Sequence, residues 1–362
     1  MKLISGFLIL FTCLNQSILV GQGRVNNFVL SKGDLIEDIL FSYYDEQGFN
    51  GSVLVVENSE IIYENTFGFS NFESKEPLDG EIPFYLASLA KQFTAASILR
   101  LSELGKLELD DPVRKFLPLM PDFYDPVKIH HLLSHTSGVP DYFGLDLVET
   151  GLSNLDVYQA LIQIRGLEFT PGNKYRYSNS GYVLLAMVIQ VASGQPIANY
   201  FQEHIFDKLQ MSHSFVYTEE NSDRKRVKGY SSRLKEDDYK LLTVGDGGIY
   251  ATANDLFKWE QGLNGGRIIG QESLDLLYRP VILANGRSRR YGYGWELGSN
   301  LNGKLVYHTG GLAGFRSYIE HQLESDNAII ILTNNSFSKV LDLRNTLVKI
   351  LDNRFSSTKD QD

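Results

Sequence analysis

The stretch Ser88-Leu89-Ala90-Lys91 decides how this chain of 362 residues is read. On a helix, residues three apart lie one turn from each other on the same face, so a hydroxyl and an amine come side by side. The run from Ser88 to Leu104 is apolar on most sides, with Leu89, Ala90, Phe93, Ala95, Ala96, Ile98, Leu99, Leu101 and Leu104, and Gly105 supplies a stop. Such a helix belongs in a protein interior. Lys91 is then the anomaly, because a buried ammonium must be paired or lose its proton. Either outcome suits a group that activates a neighbouring hydroxyl. The alternative is that Lys91 reaches the surface along its stem and Ser88 only caps the helix.

Two further motifs favour the first reading. Tyr177-Ser178-Asn179 lies in a Gly/Pro-containing loop ahead of an apolar helix, Tyr182 to Ala192, and His308-Thr309-Gly310-Gly311 follows a short strand near the C-terminus. With these motifs in this order, the chain resembles the serine β-lactamase and penicillin-binding-protein superfamily, and most of all its class C, esterase and D-aminopeptidase-like branch. The resemblance runs from about Gly51 to Leu351. It includes His131-Leu-Leu-Ser-His-Thr-Ser-Gly138, Gly245-Asp-Gly-Gly-Ile-Tyr-Ala-Thr-Ala-Asn-Asp255 and Tyr291-Gly-Tyr-Gly-Trp295. It implies a β-lactamase/transpeptidase-like fold, an active site between two parts of the molecule, and no cofactor.

A chain that is 43% apolar and 22% charged is ordinary globular material, and its length suggests two domains. The net charge of −10, with no long basic tract, argues against nucleic acid as a partner. Met1-Lys2, an apolar stretch Leu3 to Val20 and the small Gly21 read as a secretory signal over 1–21. Losing Lys2 with it moves the charge from −10 to −11. Asn15, Gln16 and Ser17 interrupt the apolar stretch, which argues against a stable membrane span. The single cysteine, Cys13, falls inside this leader, so the exported protein carries no disulfide. A lipoprotein cleavage site at Cys13 is the alternative, although Thr12 is bulky for one. Periplasmic or secreted location is the expectation.

Asp34 to Tyr44 has helical spacing, and Gly51–Glu57, Asn58-Ser59 and Glu60–Phe67 read as a β-hairpin. From about Leu109 to Lys240 the pattern is helical. Strand character returns near Tyr291–Leu297, Lys304–His308, Gly314–Leu323 and Ala328–Thr333, before a last helix, Val340–Leu351. Strands at both ends enclosing helices predict an α+β fold: one antiparallel sheet built from both termini, flanked by helices, with a helical domain inserted. The expected segments are 22–108 and 245–355 for the α/β part, 109–244 for the helical domain and 356–362 for a disordered tail.

Ser88 is the candidate nucleophile, at a helix N-terminus whose dipole favours negative charge. Lys91 is its candidate base, and Tyr177 a second one, whose phenolate the Lys91 cation would favour. Tyr175 competes for that role among 20 tyrosines, and Tyr177 is preferred because it begins Tyr-x-Asn. Asn179 would bind substrate or position Lys91. By resemblance, His308, Thr309 and Gly310 bind substrate, and the N–H groups of Ser88 and Gly311 form an oxyanion hole. His308 stands where β-lactamases usually carry lysine. A neutral histidine gives a substrate carboxylate no fixed counter-charge, which favours small esters over penicillins. Protonation in acid would be expected to improve binding of anionic substrates.

His131 and His135 at i, i+4 invite a zinc reading, but Leu132 stands where a metalloprotease needs glutamate, so no metal site is expected. Arg316 reads as solvated, and Asp246 and Asn254-Asp255 as turn and capping groups. The leading expectation is a serine hydrolase acting on a small-molecule or peptide substrate: an ester, a D-amino-acid peptide or a β-lactam. A catalytically silent protein of the same fold, binding peptide or cell-wall fragments, is the rival. Oligomeric state is open.

Overall fold

Asn58 and Ser59 both adopt positive φ, 52° and 68°, the two-residue turn whose twist suits a hairpin. It joins β1 (Gly51–Glu57) to β2 (Glu60–Phe67). This is a computed structural model, and it describes residues 30–353 except 146, 148, 149 and 232–234. The expected leader and tail lie outside the described residues.

The other edge of β1 pairs with a strand from the far end of the chain. In space the sheet runs β3 (Glu296–Asn300), β4 (Gly303–Leu312), β5 (Phe315–Gln322), β6 (Asn327–Thr333), β1 and β2, with every neighbouring pair antiparallel. Side chains of β1 alternate between two cores, Val53 and Val55 on one face and Leu54 and Val56 on the other. Near-continuous burial of β1 and β6 follows from helices covering both faces.

One face is covered by terminal helices. α1 (Lys32–Gln47) starts with a Ser31–Asp34 capping box and buries Ile36 and Leu40. On the other face lie α2 (Ala90–Glu103), α3 (Asn154–Gln163), α4 (Asn179–Ser193) and α5 (Ala253–Asn264). The last helix, α6 (Val340–Leu351), returns to α1 and packs Leu343 and Leu347 into the same cluster as Ile36. The α+β reading, with a sheet from both termini, describes this architecture. Among the described residues, no single helix is long and apolar enough to cross a membrane.

The expected boundaries at 108 and 244 are not divisions of the core. One hydrophobic cluster runs from Leu54 through Phe93, Val157, Val183 and Trp259 to Ile330. A small sheet also crosses both boundaries, pairing Ile249–Ala251 with Phe84–Tyr85 on one side and Phe215–Val216 on the other. Two elements differ locally from expectation. The strand expected from Tyr291 begins at Glu296, because Gly294 turns the chain at φ 73° where a Cβ would lie 2.7 Å from the Lys91 carbonyl oxygen. The serine-bearing helix opens as a 3₁₀ turn, Ala87–Leu89, before α2 begins at Ala90. Leu89 occupies the α2 cap position, so the Ser88 hydroxyl is not consumed in capping.

Where that turn meets the sheet, β4 must be bare. A Cβ on Gly310 would lie 2.4 Å from the Leu86 carbonyl oxygen and 2.1 Å from Ser317 Oγ. That hydroxyl itself donates to Leu86 O at 2.8 Å. Glycine thus sets the distance between the sheet and the turn carrying Ser88. Gly310→Ala is expected to lower stability by about 1–3 kcal/mol through overpacking, read as a lower urea midpoint at unchanged m-value. An unchanged midpoint would mean that the turn is not seated on the strand.

Candidate active site

Ser88 alone between Ile82 and Leu99 is not buried. Ala87, just before it, has φ 50°, a left-handed conformation that a non-glycine residue adopts at a cost and that recurs at functional turns. Its neighbour one turn on, Lys91, is fully buried. Lys91 Nζ donates to three acceptors: Ser88 Oγ at 3.1 Å, Asn179 Oδ1 at 2.8 Å and the Asp246 main-chain oxygen at 2.8 Å. Burial pushes the Lys91 ammonium down to about 8, against the opposing pull of Asp246 and Asp141.

Asn179 is the first residue of α4, while Ser178 caps that helix through its hydroxyl. The Asn179 side chain is therefore free to face the site. Asp141 fixes its orientation, accepting from both its backbone N–H at 3.0 Å and its Nδ2 at 2.9 Å. With Nδ2 held this way, Oδ1 is left for Lys91. Asp246 does more than turn the chain. It is buried, its carboxylate accepts from Tyr142 at 2.8 Å, and desolvation raises its pKa despite Lys91 nearby.

Tyr177, not Tyr175, lies beside the amine: Lys91 Nζ is 5.0 Å from its ring centroid. Burial raises the Tyr177 pKa, only partly offset by its hydrogen bond with the Ser88 hydroxyl. The phenolate expected beside Lys91 is therefore disfavoured, because burial and then the charges of Asp246 and Asp141 hold Tyr177 as a phenol. Tyr175 instead has the Arg289 guanidinium 5.9 Å from its ring.

His308 is buried on β4. Its Nδ1 donates to the Thr309 carbonyl oxygen at 2.7 Å, and its Nε2 meets the Tyr291 hydroxyl at 3.3 Å. Both ring nitrogens are engaged within the protein, so His308 has no free polar atom to offer the substrate it was expected to bind. Burial, with the Lys91 charge added, pushes its pKa down to about 3, so the expected gain of charge in mild acid falls outside ordinary working pH. Thr309 and Gly311 alternate to the exposed side. β3 pairs with β4 only from Gly303 to Tyr307, so among the described residues the edge of His308–Leu312 has no strand on that side. A cavity of about 450 Å³ beside this strand is lined by Thr309, Gly311, Arg316, Lys339 and Leu341, and by none of Ser88, Lys91, Tyr177 and Asn179. Arg316, opposite Gly311 across β4 and β5, is half-buried rather than solvated and donates to Ala313 O at 3.0 Å and to Phe315 O at 2.6 Å.

His131 and His135 part company. The short helix Ile129–Leu133 ends between them, and His135 takes φ 56°. His131 Nδ1 accepts from the Lys128 N–H at 3.1 Å. His135 turns into the site, its ring 4.2 Å from that of Tyr177 and its Nε2 3.0 Å from the Tyr291 hydroxyl. Asp141, His135, Asp246 and Tyr291 thus join the motif residues around Lys91. The sequence analysis did not assign them here, and only Gly294, conspicuous in Tyr-Gly-Tyr-Gly-Trp, hinted that the Tyr291 segment approaches another backbone.

The beta-lactamase family profile matches residues 36–352. A penicillin-binding protein of Bacillus subtilis (strain 168) is 34% identical over 314 residues, 80% of this chain and 69% of that protein. The D-aminopeptidase of Gluconobacter oxydans (strain 621H) is 26% identical over 301 residues, 80% of this chain and 56% of that protein. Among solved structures, the octameric penicillin-binding protein homologue from Pyrococcus abyssi has a TM-score of 0.79 at 27% identity, covering 89% of this chain and 77% of that one. A class C beta-lactamase, at 20% identity and a TM-score of 0.75 over 90% of this chain and 97% of that one, shares the fold. A profile spanning nearly every described residue, together with a relative of that identity, makes this chain a member of the beta-lactamase family of serine hydrolases.

Proposed function

We propose that this protein is an exported serine hydrolase that cleaves a carboxylic ester or amide through an acyl-enzyme on Ser88. The observation that carries this reading is the set of acceptors around Lys91. As an ammonium, Lys91 spends its three protons on Ser88, Asn179 and Asp246. After losing one, it keeps the two shorter bonds, at 2.8 Å to Asn179 and Asp246, and turns its lone pair to Ser88 Oγ at 3.1 Å. With a pKa of about 8, roughly a tenth of the molecules hold this neutral amine at pH 7.

In acylation Lys91 Nζ takes the Ser88 proton while Oγ bonds to the substrate carbonyl carbon. The N–H groups of Ser88 and Gly311 hold the resulting oxyanion. Collapse breaks the bond to the leaving group, which receives a proton from the Tyr177 hydroxyl as Tyr177 is resupplied by Lys91. Water then repeats the sequence and releases the acid. The raised pKa of Tyr177 suits a proton donor and relay better than a base. Thr309 and Gly311 are the exposed residues of the β4 segment that runs past Ser88. A neutral His308 supports preference for substrates without a carboxylate at that position. Export rests on the reading of residues 1–21.

Ser88→Ala is expected to leave the fold intact and abolish labelling by a serine-directed phosphonate, with hydrolysis falling to a residual on the order of 10³-fold over water. Undiminished turnover in the folded variant would instead favour a silent binding protein with a contaminating activity. Lys91→Ala and Tyr177→Phe should each lower kcat strongly, and the double variant should lose little more, because groups acting as one unit are non-additive. Fully multiplicative losses would separate their roles. Because the base must be neutral, kcat/KM for a small aryl ester should rise with pH through about 8. A flat profile from about pH 6 to 9 would remove Lys91 from that role.

A further inference from the structure

Three buried side chains that the mechanism does not use form a continuous chain beside Tyr177. His135 Nδ1 accepts from the Ser178 N–H at 3.1 Å, and its Nε2 lies 3.0 Å from the Tyr291 hydroxyl. That hydroxyl lies 3.3 Å from His308 Nε2, and His308 Nδ1 reaches the Thr309 carbonyl oxygen at 2.7 Å. Both ends are backbone groups, and each admits only one role. An N–H can only donate, so neutral His135 carries its proton on Nε2 and donates to Tyr291. A carbonyl can only accept, so His308 carries its proton on Nδ1 and leaves Nε2 to accept from Tyr291. The chain is polarised in one direction, from Ser178 to Thr309.

We propose that Tyr291, with His135, is a positioning residue that locks His308 as a neutral Nδ1–H imidazole and thereby holds Tyr177 in place for proton transfer. All three members border the Tyr177 ring, with centroids at 4.2 Å for His135, 6.4 Å for Tyr291 and 6.4 Å for His308. The groups packed around them are Lys91 from α2, Tyr182 from α4, whose hydroxyl also hydrogen-bonds that of Tyr291, and Tyr175 and Tyr177 from the loop ahead of it. A proton on either histidine would set a second cation beside Lys91 and would turn an acceptor nitrogen into a donor. The chain therefore keeps charge off position 308 and fixes the substrate class as one that needs no cation there. This last consequence rests on the hydrolase reading above, whereas the tautomers do not.

The test is ¹⁵N spectroscopy of histidine-labelled full-length protein, with and without Tyr291→Phe. In the wild type, His308 should show a protonated Nδ1 and bare Nε2, His135 the reverse, and neither should titrate between about pH 5 and 9. Tyr291→Phe should shift the Nε2 resonances of both rings. It should also lower kcat on a small aryl ester by about tenfold or more, with KM changed less than about threefold, since reacting groups misplaced by an ångström lose rates of that order. The opposite tautomer at either ring, or titration near pH 6, would overturn the proposal even if the variant does not fold. So would a folded variant with unchanged spectra and kcat. Correct tautomers without hydrolysis of any ester or amide would instead sink the hydrolase reading and leave the lock standing.

Discussion

Burying the Lys91 ammonium costs several kcal/mol unless its protons find acceptors, and those acceptors come from three separate parts of the chain. Ser88 is one turn away, Asn179 opens α4 at a separation of 88 residues, and the Asp246 carbonyl arrives from 155 residues on. Two of the residues that supply them are themselves held: Asn179 by Asp141, and Asp246 by Tyr142 at its carboxylate. Removing any one leaves a buried donor unsatisfied, which is costlier than the loss of an exposed hydrogen bond. The site and the fold are therefore specified by the same contacts.

That requirement governs the packing around α2. Segments that supply acceptors must approach the helix at backbone distance, and glycine permits this at Gly294, against the Lys91 carbonyl, as it does at Gly310 against Leu86. The sheet provides the rigid side. β4 is pinned by β5 from Leu305 to Leu312 and by β3 only from Gly303 to Tyr307, so among the described residues its unpaired edge lies at His308–Leu312. A strand edge normally invites pairing with another strand, and here it is placed beside Ser88 instead.

Local chemistry and a sheet built from both termini were legible in the sequence, and the side-chain pairings inside the site were not. The hairpin is legible in Asn58-Ser59 between two apolar-rich runs, and Lys91 in a helix that is apolar on most sides, although the sequence leaves open an exit along its stem. Tyr177 could be picked out of 20 tyrosines only by its neighbour Asn179. Nothing local marks Asp141, which resembles any loop aspartate, because its role exists only once α4 is docked. His135 and Tyr291 lie 156 residues apart and acquire meaning only by meeting. The i, i+4 spacing of His131 and His135 brings no pair together for a related reason: it presumes a helix through both, and the chain leaves the helix at Leu133.

The state of His308 follows from its burial and from Lys91 rather than from histidine's intrinsic chemistry. Two cations in one buried site would repel in a medium where charge is poorly screened, and after burial the Lys91 charge is the largest influence lowering the pKa of His308. The same charge bears on His135. A lysine at position 308 would need further acceptors, yet the groups already there are a hydroxyl and a carbonyl committed to a neutral ring. The identity of that residue is thus coupled to Tyr291 and His135. Changing the residue at 308 alone would remove one of the partners of the Tyr291 hydroxyl, so the three positions are expected to respond to substitution as a unit.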